Sequence, residues 1–262
     1  MGRYLRLYGH FLRFSFSRAM EFRVDFFFRV LMDGIWYAVN LAFFSLIFLH
    51  TPVLGGWDYD QVLVFAAGLF FADAVNMTVF SNNMWWFPQI VNRGDLDYYL
   101  VRPVSPLFFV SLREFAANSF LNLVMASAIL VWSLARHPAG LGVADGALYV
   151  GLLLVGVVLH YCLFMMFLIP VFWIHSAHGL RDLGFALERF MGRPDGVFRG
   201  WLRWVLVSVL PYALIVSFPC RALFGGFDLA LLLHMAGVTA AAFVAMTWLW
   251  RRGLRAYSSA SS

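Results

Sequence analysis

Six long apolar stretches, at about residues 30–49, 61–80, 107–134, 147–173, 201–216 and 229–250, govern what this chain can fold into. A backbone inside hydrocarbon has no water to bond, so every peptide N–H and C=O must be paired within the protein. A helix pairs them locally, and at 1.5 Å per residue about 20 residues cross the apolar slab. Charged residues make up 13% of the chain and hydrophobic ones 62%, whereas a soluble domain carries about a quarter charged. The sequence therefore predicts an all-α integral membrane protein with six transmembrane helices.

Ahead of the first stretch, Arg3, Arg6, Arg13, Arg18, Arg23 and Arg29 alternate with Leu5, Leu7, Phe11, Phe14, Phe16 and Phe22. A basic face opposite an aromatic face suits an amphipathic helix lying in the lipid interface. The expected layout is an interfacial helix over residues 1–29, a membrane domain over 30–250 and a cytoplasmic tail over 251–262. No secretory signal is expected, because no short apolar run with a small-residue cleavage site follows this Arg-rich start.

Two polar segments interrupt the apolar pattern. Residues 81–106 begin with Trp85, Trp86 and Phe87, an aromatic belt of the kind found at membrane–water boundaries. They continue through Asn92, Arg93, Gly94, Asp95, Leu96, Asp97, Leu100, Arg102 and Pro103 to Pro106. Residues 174–200 hold Arg181, Asp182, Glu188, Arg189, Arg193, Pro194, Asp195 and Arg199. There, Leu180, Leu183, Leu187 and Phe190 recur at helical spacing, so an amphipathic helix is expected, ending at the Gly192–Gly196 breaker.

Six crossings put both chain ends on one side, and arginine placement fixes which side. The N-terminal stretch carries six arginines, the first polar segment with the start of the third crossing three, the second polar segment through Arg203 five, and the tail three. The opposite side carries Arg136 and Arg221. Both termini and both polar segments are thus expected in the cytoplasm, at a bacterial inner membrane.

All 19 basic residues are arginine, and without lysine there is no Walker A motif, Schiff-base lysine or Ser-Lys dyad. The net charge of +5 follows membrane topology and does not indicate nucleic acid. Cys162 and Cys220 form no CxxC, and His175 and His178 lack a third ligand nearby, so neither a disulfide nor a metal site is expected. An intramembrane enzyme would need a pair such as HExxH or GxSxG, which does not occur. Ionisable groups inside a bilayer are costly and mark function or interhelical bonding. Asp73 and Asn76 in the second stretch are candidates for a transport path, and Asp33, Asp73 and Glu114 would suit the proton relay of an ion-coupled carrier or channel. No inverted repeat supports that alternative.

The run Gly94-Asp-Leu-Asp-Tyr-Tyr-Leu-Val-Arg-Pro-Val-Ser-Pro-Leu-Phe108, extended by Phe109, resembles the signature of ABC-2-type exporter permeases. Arg193–Arg203 and the Pro…Pro stretch Leu210–Gly225 are similar to the same subgroup, and the resemblance covers essentially the whole chain. It implies a transport subunit, not an enzyme, with no cofactor of its own. ATP and Mg would bind a separate cytoplasmic ATPase, and a second permease would complete the path. Asn92–Pro103 would be the ATPase-coupling helix, and Arg189, Arg193, Pro194, Asp195 and Arg199 a second cytoplasmic contact. Asp73, Asn76, Pro211, Tyr212 and Pro219 would line the translocation path.

Overall fold

A computed structural model of the chain describes residues 2–19, 23–138, 140–174, 178–226 and 228–258, with the side chains of 18, 19, 23–27, 29, 118 and 178 left aside. The described chain is helical, 82% of it, and contains no strand. Helix α1 (Gly2–Ala19) precedes α2 (Arg23–Phe48). Asp58 caps α3 (Tyr59–Asn76): its carboxylate accepts from Gln61 N at 2.9 Å, and Gln61 Oε1 accepts from Asp58 N at 3.1 Å. These bonds satisfy backbone donors that any helix start leaves open.

The helix does not stop at the expected boundary near residue 80. It widens into a π-turn at Met77–Ser81 and continues as α4 (Asn82–Asn92), so one apolar helix runs from Tyr59 to Asn92. Gly94, at φ 79°, then turns the chain in a conformation that favours glycine. A one-turn helix α5 (Asp97–Leu100) and α6 (Pro106–Leu112) follow.

The third stretch was expected to be continuous over 107–134, but it breaks between Arg113 and Ala116 before a 3₁₀ turn and α7 (Phe120–Arg136). Each N–H of the break finds a partner. Glu114 N donates to Asn83 Oδ1 at 2.8 Å, Phe115 N to Ser15 Oγ at 3.3 Å, and Ala116 N to the Thr78 carbonyl at 2.8 Å. Asn83 also donates from Nδ2 to the Glu114 carbonyl at 2.8 Å. A non-helical backbone at membrane depth survives when protein supplies such partners.

Helix α8 (Val143–Leu168), extended by α9 (Val171–Ile174), is the central post of the bundle. Helix α10 (His178–Glu188) then runs antiparallel to it: Gly184 faces Phe164 and Phe167, and Glu188 reaches His160 at 3.1 Å. The chain continues until Gly196 abuts Gly55 in the turn after α2, where a Cβ on Gly196 would strike the Gly55 carbonyl. Residues 178–198 therefore traverse the bundle from end to end. The amphipathic helix expected around Leu180–Phe190 is present and packs against α8, while the segment expected as a cytoplasmic coupling loop over 174–200 runs along the bundle to the Gly55 end.

The fifth apolar stretch differs correspondingly. Helix α11 (Gly200–Trp204) and its π-turn to Val209 meet α12 (Leu214–Gly225) at a bend of 96°. Ile215 lies against Gly156 and Cys220 against Tyr149, so α12 runs back toward the start of α8. The pair is a helical hairpin dipping into the bundle and returning to the end that carries Gly55. Helix α13 (Leu229–Ala256) crosses the full length, and Gly253 and Trp250 pack on Phe172.

Four helices are long and apolar enough to span a membrane, or five if the bent pair counts as one span. The outward faces of α2, α7 and α13 carry exposed Leu46, Val131, Trp132, Leu233 and Val244, as lipid contact requires. The core lies along α3, α8 and α12, where Phe65, Phe70, Leu153, Leu159 and Ile215 are fully buried.

Candidate functional site

Two regions gather the chemistry, one at the end of the bundle that holds Gly94 and one at its centre. In the first, the 81–106 segment is not a loose loop. Leu96 and Tyr99 are buried, Tyr99 packs on Phe109 with ring centroids 5.7 Å apart, and Gly94 is enclosed. The residues left facing outward are Asn92, Arg93, Leu100, Arg102 and Pro103, together with Tyr98 at 69% and Val101 at 83% exposure. Sequence reasoning did not single out Tyr98 and Val101, which are the most exposed apolar-bodied side chains of this segment. Their signal was present, since Tyr98 lies in and Val101 caps a one-turn helix whose other side is buried.

This tip is tied to its surroundings on three sides. Helix α1 lies along α6, with Tyr4 on Phe108 at 4.9 Å and Phe11 on Phe109 at 5.4 Å. The Arg113 guanidinium donates to the Tyr99 hydroxyl, and the Arg102 side chain donates to the Tyr98 carbonyl at 3.2 Å. Tyr257, just past α13, faces Asp97 and Asp95; burial, followed by these two carboxylates, pushes its phenol up to about 12. The end of α13 and the 81–106 segment therefore share one end of the bundle.

At the centre, His160 lies midway along α8, and its Nε2 is 3.1 Å from Glu188 Oε1. Asp73 is within electrostatic reach of Glu188, His160 and Asp33, which brings α3, α10, α8 and α2 together. The Tyr212 ring faces His160 at 6.3 Å, and its fully buried hydroxyl, near Glu188, makes no hydrogen bond among the described residues. Asn76 is buried one turn below Asp73 with Oδ1 unpaired. Tyr37 on α2 donates to Asn122 Oδ1 on α7 nearby.

The structure thus brings Asp73, Asn76 and Tyr212 into one interior region, with Pro211 at the hairpin bend and Pro219 buried inside α12. It adds Glu188, which the sequence placed in the amphipathic helix of the second polar segment. Of the residues suited to a proton relay, Asp33 and Asp73 interact, while Glu114 is held in the α6–α7 break against Asn83.

The residues expected to form a second cytoplasmic contact divide between buried Pro194 and Asp195 and exposed Arg189, Arg193 and Arg199. Asp195 is fully buried at the Gly55 end. Its carboxylate accepts from Arg221 (Nε to Oδ1 3.0 Å, NH2 to Oδ2 2.8 Å) and from Arg203 (NH2 to Oδ2 2.9 Å), and its own N–H donates to Ser217 Oγ at 3.1 Å. Pro194 is buried beside it, and Arg189, Arg193 and Arg199 are exposed along the traverse. A carboxylate held by two guanidiniums locks the 178–198 traverse to the α11–α12 hairpin.

Among the described residues, no three His, Cys, Asp or Glu side chains come together to hold a metal ion. His175 and the His178 side chain lie outside the described residues. Cys162 and Cys220 are buried and free.

The described chain is thus a helical membrane bundle with a polar tip at one end and embedded charges at its centre. The family model for ABC-2 family transporter proteins matches residues 34–261, so the chain belongs to that family, as a multi-pass permease subunit. No curated protein and no solved structure matches the chain.

Proposed function

We propose that this chain is the membrane permease of an ATP-driven exporter, energised by a separate cytoplasmic ATPase that binds ATP and Mg. The observation that carries this reading is the tip at Tyr98–Pro103. It is an exposed apolar and basic surface standing on a buried base of Leu96 and Tyr99. Behind the base is the α6–α7 break, where α1, the π-turn of α3–α4 and Asn83 all converge. A push on the tip bears on backbone that is already non-helical, so it can tilt α4 against α7 without breaking a regular helix.

The six crossings in this reading are α2, α3–α4, α7, α8, the 178–198 traverse and α13, with α1 at the interface and the α11–α12 hairpin re-entrant. Arginine supports a cytoplasmic tip and cytoplasmic termini: six lie in the N-terminal stretch, Arg93, Arg102 and Arg113 around the tip, and three in the tail. The bacterial inner membrane is the setting this implies. Arg189 and Arg193 stand exposed on a crossing segment, and hydrocarbon is a poor solvent for guanidinium. Their cover is a second permease subunit, with the interior region around Asp73, Glu188 and Tyr212 opening toward the path between the two.

ATP-dependent efflux from vesicles holding the permease with its ATPase tests this reading. Transport by the permease alone under a proton gradient would replace it with the ion-coupled carrier, for which the Asp73–His160–Glu188 grouping would be the relay.

A further inference from the structure

A cavity lies between α1 and the tip, sharing Tyr98 and Arg102 with the tip's outer surface. It measures about 560 Å³ and is lined by Phe11, Trp86, Ile90, Tyr98, Tyr99 and Phe109, with Asp95, Arg102, Arg113 and Glu114 as its charged groups. That volume falls within the range of small-molecule sites, on the order of 300–1,000 Å³. The walls are aromatic, and the charges are two guanidiniums and two carboxylates. Among the described residues each guanidinium makes one intramolecular hydrogen bond, Arg102 to the Tyr98 carbonyl and Arg113 to the Tyr99 hydroxyl. An arginine carries five N–H donors, so both keep donors for a ligand. Arg102 also lies 5.6 Å over the Phe109 ring and Arg113 5.7 Å over Tyr99, which holds both heads against the cavity wall.

We infer that this cavity binds the headgroup of a zwitterionic phospholipid, phosphatidylethanolamine, with its phosphate on Arg102 and Arg113 and its ammonium on Asp95 and Glu114. Three observations converge on that ligand. Depth is the first: Trp85 and Trp86, about half exposed, mark the aromatic belt on α4, and the cavity opens beside Trp86 and Ile90, at headgroup level. Charge is the second. An anionic lipid would meet Asp95 and Glu114 without compensation, whereas a group carrying both signs satisfies all four side chains. The third is the wall, since Trp86 and Tyr98 set aromatic rings at the cavity where an ammonium can meet them and Phe11 offers an apolar exit for acyl chains. A lipid held here would bridge α1, α4, the tip and α6, and so would stiffen the tip.

The test uses the full purified chain, without ATPase, in nanodiscs. Thermal unfolding and native mass spectrometry compare phosphatidylethanolamine with phosphatidylglycerol, and soluble phosphoethanolamine and inorganic phosphate serve as competitors. The expected result is about a tenfold preference for retained phosphatidylethanolamine, the scale of one or two charge-assisted hydrogen bonds, with competition by phosphoethanolamine and none by phosphate. The preference should fall to unity in Arg102→Ala/Glu114→Gln. Equal retention of the two lipids by the wild-type chain overturns the inference without recourse to any variant. Competition by phosphate alone overturns it in favour of a simple anion site. A cavity meant for a side chain of the ATPase would show no lipid preference in the isolated permease, and that result also overturns it.

Discussion

Asp195 is the residue whose surroundings speak most clearly. It is a fully buried carboxylate gripped by Arg203 and Arg221. Removing its side chain deletes these charge-assisted bonds and leaves two arginines that water reaches in part. Asp195→Ala is expected to destabilise the permease by about 1–3 kcal/mol, read as thermal unfolding in detergent, and to release the α11–α12 hairpin to proteolysis. An unchanged unfolding temperature would show that the arginines are solvated after all. At the other end, Tyr257 is the titrating contact. Its phenol is raised from 10.0 to about 12, chiefly by burial and then by Asp97 and Asp95. The neutral form is thus the bound one. Its contribution to tail docking is complete below pH 10 and is lost as pH rises toward about 12. Cross-linking of the tail to the tip across that window should follow this course, and Tyr257→Phe should make it flat.

At the scale of elements, the α6–α7 break and the π-turn of α3–α4 form one device. Asn83 satisfies two backbone groups of the break by itself. Asn83→Ala would strand both, at about 1–3 kcal/mol each, and is expected to loosen the break while leaving the tip's outer surface intact. In this variant the ATPase should still co-purify, but transport per ATP should fall several-fold. Loss of co-purification instead would place Asn83 in the docking surface. Charge reversal at Asp95 and Asp97 makes the complementary case: weakened co-purification with a folded permease is expected, and normal coupled ATPase activity would count against docking at the tip. Helix packing sets a further constraint at Gly156, where a Cβ would run into the Ile215 carbonyl. Backbone cannot yield as a side chain tip can, so Gly156→Ala should part α8 from α12 at a cost of about 1–3 kcal/mol.

For the whole molecule, the open question of cover falls on the 178–198 traverse. Arg189 and Arg193 are exposed in the single chain yet lie on a segment that runs the length of the bundle. The proposed second permease meets that face. A cysteine at 189 or 193, with the buried native thiols Cys162 and Cys220 inaccessible, should form a cross-link between two permease subunits in membranes. Labelling of that cysteine by a lipid-phase reagent, with no cross-link, would leave the face bare and the dimer proposal without its surface.

Sequence alone determined the class of this protein. Long apolar runs leave a membrane chain no option but helices, because unpaired backbone in hydrocarbon is too costly, and the Gly94–Phe109 run carried the family resemblance. It also marked the 81–106 segment as a polar interruption between two apolar runs. What it did not fix was the path of residues 174–225. A polar-looking segment reads as a loop when its charges are counted one by one. In the fold those charges are partnered across distance, Glu188 by His160 and Asp195 by Arg203 and Arg221. Such pairings lie 8 to 28 residues apart along the chain, and no local period encodes them. Only tertiary packing decides that a charge-bearing segment crosses the bundle and that the apolar Pro211 stretch, by length a crossing, bends by 96° and turns back.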